Sequence, residues 1–391
     1  MRALFVVCVI DILGFGILIP LVPYMADRFG AAPELITPIL GAYSLSQLIA
    51  APFWGRLSDR YGRRPILMTS LAGACASYVI LGLAHNLWWL LLSRVLAGFM
   101  AGNLAAAFAY ASDISAPEHR AKSLGMVGAA IGIGFMLGPA IGGVLAGEDE
   151  RTANFALPAA VSTMLSLVAI ALVYFVLPES HREEHRAAHR EPVRRNALQL
   201  LRERPILRFI VSGAFLVTCS QSILESIFAI WAMNRFGFGP RTVGLLFFCL
   251  ALIPVVLQGG LVRLVVPRFG EARIAIAGIL SYVAGLMLIA YSSHLPLAVA
   301  GLALCGVGSG LFSPTASALA SKQATQRDRG AVMGTYQSGL SLARAVIPFA
   351  SGAVYAALGP SAPFAAGACV TLPAAWLIWN SQRGARTMAT P

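Results

Sequence analysis

Long blocks of apolar residues fill this chain, separated by short polar segments. About 20 mostly apolar residues suffice to cross a bilayer as a helix. On that measure the blocks predict twelve helices, at 3–26, 37–55, 66–84, 87–112, 123–147, 154–177, 206–233, 242–266, 273–292, 295–320, 330–357 and 361–380. Most connections are very short, so neighbouring helices should run antiparallel. The exception is 178–205, which contains His181-Arg182-Glu183-Glu184-His185-Arg186 and Arg194-Arg195. It is too charged to enter lipid and divides the helices six and six. The expected fold is an all-α integral membrane protein, with twelve transmembrane helices in two pseudo-symmetric six-helix bundles. The bundles span 1–177 and 206–391, and 178–205 is a cytoplasmic linker between them.

Composition supports the pattern. Of the 391 residues, 58% are hydrophobic and 12% charged, with a mean hydropathy of +0.74. A soluble domain is about 45–50% apolar and about 25% charged, so this chain lacks the charge to cover a soluble surface. Disorder is excluded by the same values. The net charge of +12 needs no nucleic acid to explain it. With the N-terminus inside, Arg28, Arg151, Arg235 and Arg241 are the basic residues on the outer face. Arg94 and Arg344 lie within helices, and the other 23 of the 29 Lys and Arg residues fall inside. That asymmetry predicts both termini to be cytoplasmic. Met1-Arg2 followed by an apolar run resembles a signal peptide, but no small-residue cleavage site follows, so it reads as a retained first span. The six cysteines (Cys8, Cys75, Cys219, Cys249, Cys305, Cys369) sit inside apolar runs without a CxxC pair, and read as small packing residues.

The two halves resemble each other at a shift of about 207–209 residues. Arg28-Phe29-Gly30 with Pro33 recurs as Arg235-Phe236-Gly237 with Pro240, and Arg60-Tyr61-Gly62 as Arg268-Phe269-Gly270. His85 falls opposite His294, and Pro139 and Gly143 opposite Pro348 and Gly352. Six helices return the chain to its starting side, so the repeat is parallel, with its axis along the membrane normal. Two such bundles would enclose a cavity, and rocking them would expose it alternately to either side.

Four motifs then carry a resemblance to the major facilitator superfamily over essentially the whole chain. Residues Gly55-Arg56-Leu57-Ser58-Asp59-Arg60-Tyr61-Gly62-Arg63-Arg64-Pro65 resemble its signature loop between helices 2 and 3. Gly55 and Gly62 are expected to permit a tight turn there. Asp59 can accept from helix ends or from Arg63, and Asp113, ending helix 4, matches the family's usual partner. The resemblance implies a gating latch of Gly55, Asp59, Arg60, Gly62, Arg63, Arg64 and Asp113. Gly125, Gly134, Gly138-Pro139 and Gly142-Gly143 resemble the antiporter motif of helix 5, which implies proton-coupled export. There, glycines allow close helix approach and Pro139 a kink. Asp11–Pro23 and Leu92–Gly98 resemble the helix 1 and helix 4 motifs of twelve-span drug/proton antiporters, and the tetracycline-efflux branch in particular. That branch carries acidic residues within helices 3 and 9. Here 66–84 and 273–292 contain none, so a metal–tetracycline chelate is not an implied substrate.

An ionisable residue deep in a span costs at least about 2.5–3.5 kcal/mol on insertion scales and marks function by default. Asp11 lies about 12 Å deep in helix 1 at 1.5 Å per residue, and Arg94 in helix 4 is close enough in depth to face it. The pair reads as a proton-coupling device or as a permanent structural ion pair. Glu225 and Arg344 are expected to pair similarly in the second half, where Glu225 either couples protons or binds a cationic substrate. Asn103, Tyr110, Gln221, Phe228, Trp231, Phe312, Tyr336 and Gln337 are candidates to line an aromatic substrate cavity, against the alternative of helix packing. His181, His185 and His189 recur every four residues around Glu184, but in so polar a segment they read as solvated linker rather than as a metal site. No nucleophile–base pair, phosphate loop or HExxH motif points to an enzyme.

The sequence thus predicts a proton-coupled exporter of small amphiphilic compounds such as drugs, in a bacterial inner membrane. It is expected to be monomeric, to bind no nucleic acid and to need no cofactor beyond the proton gradient. The alternatives are a dedicated metabolite, siderophore or lipid exporter, an uptake symporter and, more remotely, a non-transporting membrane sensor.

Overall fold

The computed structural model describes all residues except 117–118, 150–151, 181–196, 326–327 and 388–391. Among the described residues there is no strand, and twelve helices are long and apolar enough to cross a membrane. Several run past their apolar blocks. The second extends over Pro33–Tyr61 and the eighth over Pro240–Phe269, because a helix continues into the polar loop until something ends it. What ends these two is a glycine with positive φ, Gly62 (φ 103°) and Gly270 (φ 80°).

The first half is built from α1 (Arg2–Leu18), α2 (Leu21–Arg28), α3 (Pro33–Tyr61), α4 (Arg63–Gly82), α5 (Leu87–Phe99), α6 (Asn103–Asp113), α7 (Arg120–Ala146) and α8 (Ala156–Val176). The second comprises α9 (Ala197–Glu203), α10 (Pro205–Phe236), α11 (Pro240–Val256), α12 (Val262–Phe269), α13 (Glu271–Ala290), α14 (Leu295–Lys322), α15 (Arg329–Leu358) and α16 (Ala362–Thr387). Pro33 opens α3 where its missing N–H costs nothing. Asn86 caps α5 by accepting from the Trp89 amide at 3.1 Å.

Three spans are interrupted. The first breaks between α1 and α2 at Ile19-Pro20, since Pro20 has no N–H to continue the ladder. The fourth breaks at 100–102, between α5 and α6. The eighth passes through a π-turn, Leu257–Leu261, just after Pro254, as expected where a proline upsets the i→i−4 pattern.

The internal repeat is visible in the backbone. Positive-φ glycines recur as Gly30 and Gly237, Gly62 and Gly270, and Gly147 and Gly359. The chain divides into two compact units, 1–190 with 229–248, and 191–228 with 249–391. Segment 229–248 therefore groups with the N-terminal half, which sequence counting did not foresee. The core of the first unit includes Leu71, Tyr110 and Val173, and that of the second includes Ile279, Phe312 and Tyr336.

The linker prediction needs correction. Residues 197–203 of the expected 178–205 linker fold as α9, and Leu200 is fully buried in the core of the second unit. Arg204 then donates to the Gln323 carbonyl at 2.6 Å and pairs with Asp328. His181, His185 and His189 lie outside the described residues. Among those described, no cluster of metal-ligating side chains occurs. All six cysteines are unbonded; Cys8, Cys219 and Cys305 are buried, whereas Cys249 and Cys369 are exposed.

Candidate functional site

At the junction of α3 and α4, the 55–65 motif forms a charge cluster around Arg63, which is only 6% exposed. Its Nη1 donates to Asp59 Oδ1 at 2.6 Å and to Ser58 Oγ at 3.1 Å, and its Nε donates to Asp113 Oδ2 at 3.0 Å. The sequence placed Asp59 and Asp113 on one face, and the fold joins them through one guanidinium. Gly62 alone makes the turn. Gly55 is a helical residue inside α3 with open space beside it, so its expected turn role is not realised.

One member of the cluster was missed. Glu179 accepts from the Arg63 amide at 2.9 Å and the Arg64 amide at 3.1 Å, capping the N-terminus of α4. A side chain at Gly62 would meet that carboxylate at 2.7 Å. Arg64 reaches the Tyr174 carbonyl and stacks on its ring at 5.5 Å, and Arg60 lies 5.4 Å from the Tyr61 ring. Glu179 was hidden because it lies 116 residues from Arg63, at the start of the segment read as linker.

The glycines of 125–143 divide by contact. A methyl group at Gly134 would sit 2.7 Å from Ile12 Cβ, one at Gly138 would sit 2.6 Å from the Gly16 backbone, and one at Gly142 would come within 1.9 Å of the Ile17 carbonyl. These three let α7 press its backbone onto α1, the small-residue packing of membrane helices. A methyl group at Gly143 would sit 2.5 Å from the Pro240 carbonyl, within the same compact unit. Gly125 has nothing within 4 Å. The helix runs unbroken through Pro139 from Arg120 to Ala146.

The buried carboxylate of α1 is Asp11. Asp11 is 6% exposed and borders a cavity of about 20 Å³ lined also by Phe15, Tyr43, Tyr78, Met100 and Asn103. That volume holds about one water molecule, and the Phe15 and Tyr43 rings stack at 4.5 Å beside it. The expected Asp11–Arg94 ion pair does not form. Asn103 Nδ2 donates to Asp11 Oδ2 instead. Arg94, 3% exposed, leaves its Nε and Nη2 without a hydrogen-bond partner and lies within electrostatic reach of Tyr78 and Tyr43. Which way a residue faces around its helix is not readable from sequence.

In the second unit, Glu225 on α10 and Arg344 on α15 are both exposed and lie within electrostatic reach of each other. No direct ion pair closes between them among the described residues. Of the cavity candidates, Asn103 borders the small cavity, Gln221 is half-buried and Gln337 is exposed. The others are buried. Tyr110 (3% exposed) donates to the Pro178 carbonyl at 2.9 Å, Trp231 stands edge-on to Phe236, and Phe228, Phe312 and Tyr336 are buried. Large aromatic rings within helices fill cores as readily as they line cavities, so type alone does not separate the two.

Interrupted membrane helices and a buried carboxylate beside a small cavity mark a membrane transporter. The chain belongs to the Major Facilitator Superfamily, whose family model matches residues 4–268 and again 210–387. It is 30% identical to the class C tetracycline resistance protein of Escherichia coli over 355 residues, covering 89% of this chain and 87% of that one. It is 28% identical to multidrug resistance protein 2 of Bacillus subtilis (strain 168) over 265 residues, or 67% and 65% of the two chains. The crystal structure of the human organic anion transporter MFSD10 superposes with a TM-score of 0.71 at 23% identity, covering 96% and 98%. At that identity the likeness speaks for the fold alone.

Proposed function

We propose that this transporter is a proton-coupled exporter of small amphiphilic organic compounds, drugs among them, working by alternating access in a bacterial inner membrane. The observation that carries the reading is the buried Asp11 carboxylate, set beside a water-sized cavity. Burial makes a carboxylate's charge costly, so a change of surroundings during the cycle would load and release a proton. Similarity to a tetracycline resistance protein supports export as the direction. The membrane-embedded parts of α4 and α13 carry no acidic side chain, and Glu271 at the α13 terminus is occupied by Lys322. An organic amphiphile is therefore a better substrate class than a metal chelate. Glu225 with Arg344 is the second charged site, for a proton or for a cationic substrate. The protein acts as a monomer, with both termini cytoplasmic and the proton gradient as its sole energy source.

The test is proton release from acidified inverted vesicles on adding a panel of drugs, tetracycline included, with wild type and Asp11→Asn side by side. Compound-triggered release in wild type, lost in the variant at equal expression, is the expected result. Full release from Asp11→Asn would sink the assignment of Asp11. No release with any compound would sink proton-coupled drug export.

A further inference from the structure

The fourth membrane span is broken where it passes Asp11, and the break is held open by specific contacts. α5 ends at Phe99 and α6 starts at Asn103. The Phe99 carbonyl, freed from its helix, accepts from the Trp54 indole of α3. Gly102 packs against the same indole, where a side chain would collide with it. In a membrane, every backbone group released from a helix needs such a partner, so Trp54 and Gly102 maintain the interruption. Its consequence is the position of Asn103, the first residue of α6. Its Oδ1 accepts from the Leu104 amide at 2.9 Å, which commits the oxygen and turns the amide nitrogen towards Asp11 Oδ2. Asparagine's two ends are thus assigned by their partners.

We infer that Asn103 is a positioning residue for Asp11: the break in span 4 presents its amide N–H to the carboxylate, holds it in one orientation and favours its charged form, so that Asn103 sets the pH at which Asp11 takes a proton. The inference rests on Asp11 as the proton carrier proposed above. A donor to a carboxylate stabilises the anion, and loss of that donor favours the acid. Other groups also face Asp11. Cys8 on α1 and Tyr78 on α4 lie within electrostatic reach of Asp11, and Tyr43 on α3 borders the same cavity. Arg94 on α5 makes no ion pair with it. α7 and α8 meet α1 through Gly134, Gly138 and Ser162, none of which titrates.

The experiment needs no substrate. The infrared carbonyl band of protonated carboxylic acid is titrated against pH in detergent-purified full-length protein, and the component absent from Asp11→Asn is assigned to Asp11. In Asn103→Ala the midpoint of that component is expected to move to higher pH by roughly one to two units, the equivalent of one hydrogen bond to a charged group. Asn103→Leu, closer in volume, should shift it likewise, and Asn103→Ser, which keeps a donor, should return it part of the way. A midpoint unchanged in whichever of the Ala and Leu variants folds would overturn the inference, even with Asp11 confirmed as carrier. If instead the midpoint shifts while Asp11→Asn still exports in the vesicle assay, the positioning stands and the carrier reading fails.

Discussion

Gly138→Ala tests the packing of α7 on α1 most directly. The added methyl would lie 2.6 Å from two backbone atoms of Gly16, C and Cα, and 2.9 Å from the Ile17 amide nitrogen. A flexible side chain could swing aside, but a helix backbone cannot. Relief therefore requires the two helices to separate by several tenths of an ångström, which loosens the neighbouring contacts at Gly134 and Gly142 together. Overpacking of this kind costs about 1–3 kcal/mol, and the upper part of that range applies because both partners are main chain. The control lies in the same motif. Gly125→Ala meets nothing within 4 Å and removes a helix-destabilising glycine, so it should be neutral or stabilising by about 0.4–1 kcal/mol. Thermal unfolding of both variants in one detergent, followed by tryptophan fluorescence, reads the difference. Equal midpoints for the two variants would refute the idea that backbone contact, rather than the motif as a string, makes these glycines necessary.

Arg63→Ala should destabilise the α3–α4 junction by about 1–3 kcal/mol, a moderate loss because Asp59 and Asp113 keep access to water; protease susceptibility at 55–65 reports it. Trp54→Phe should cost about 1–2 kcal/mol by leaving the Phe99 carbonyl without its donor, with faster amide exchange confined to 99–104. The Asp328 carboxyl is held down at about 2, first by the Thr325 hydroxyl and then by Arg204. Because this folded value lies below the ordinary one, its contribution is complete above about pH 4. It is lost as pH falls towards 2. The stability gap between wild type and Asp328→Asn should therefore close across that window in a pH series of thermal midpoints.

The charge cluster at Arg63 has a counterpart in the second half with its signs exchanged. Gly62 and Gly270 end their helices alike, and the residues that follow begin α4 and α13. Where Arg63 pairs with Asp113 at the end of α6, Glu271 near-equivalently pairs with Lys322 at the end of α14. The turn is kept because the backbone needs it, and the ion pair survives inversion because its attraction does not depend on which helix carries which sign.

The number of spans, the repeat and the chemical character of Asp59, Arg63, Asp113 and Asp11 were legible along the chain. Hydrophobic length, turn glycines and the cost of charge in lipid are local properties, and a one-dimensional reading captures them. Tertiary structure alone decided the partners of Asp11 and of the α4 N-terminus. Asp11 bonds Asn103 rather than Arg94, and Glu179 reaches across 116 residues to cap α4. It also decided that Gly138 presses on α1 while Gly125 of the same motif touches nothing, and that Tyr110, Phe228 and Phe312 are core. These outcomes depend on the rotation of each helix about its axis and on where a span breaks. Both are set by contacts between helices distant in sequence, so no window along the chain contains them.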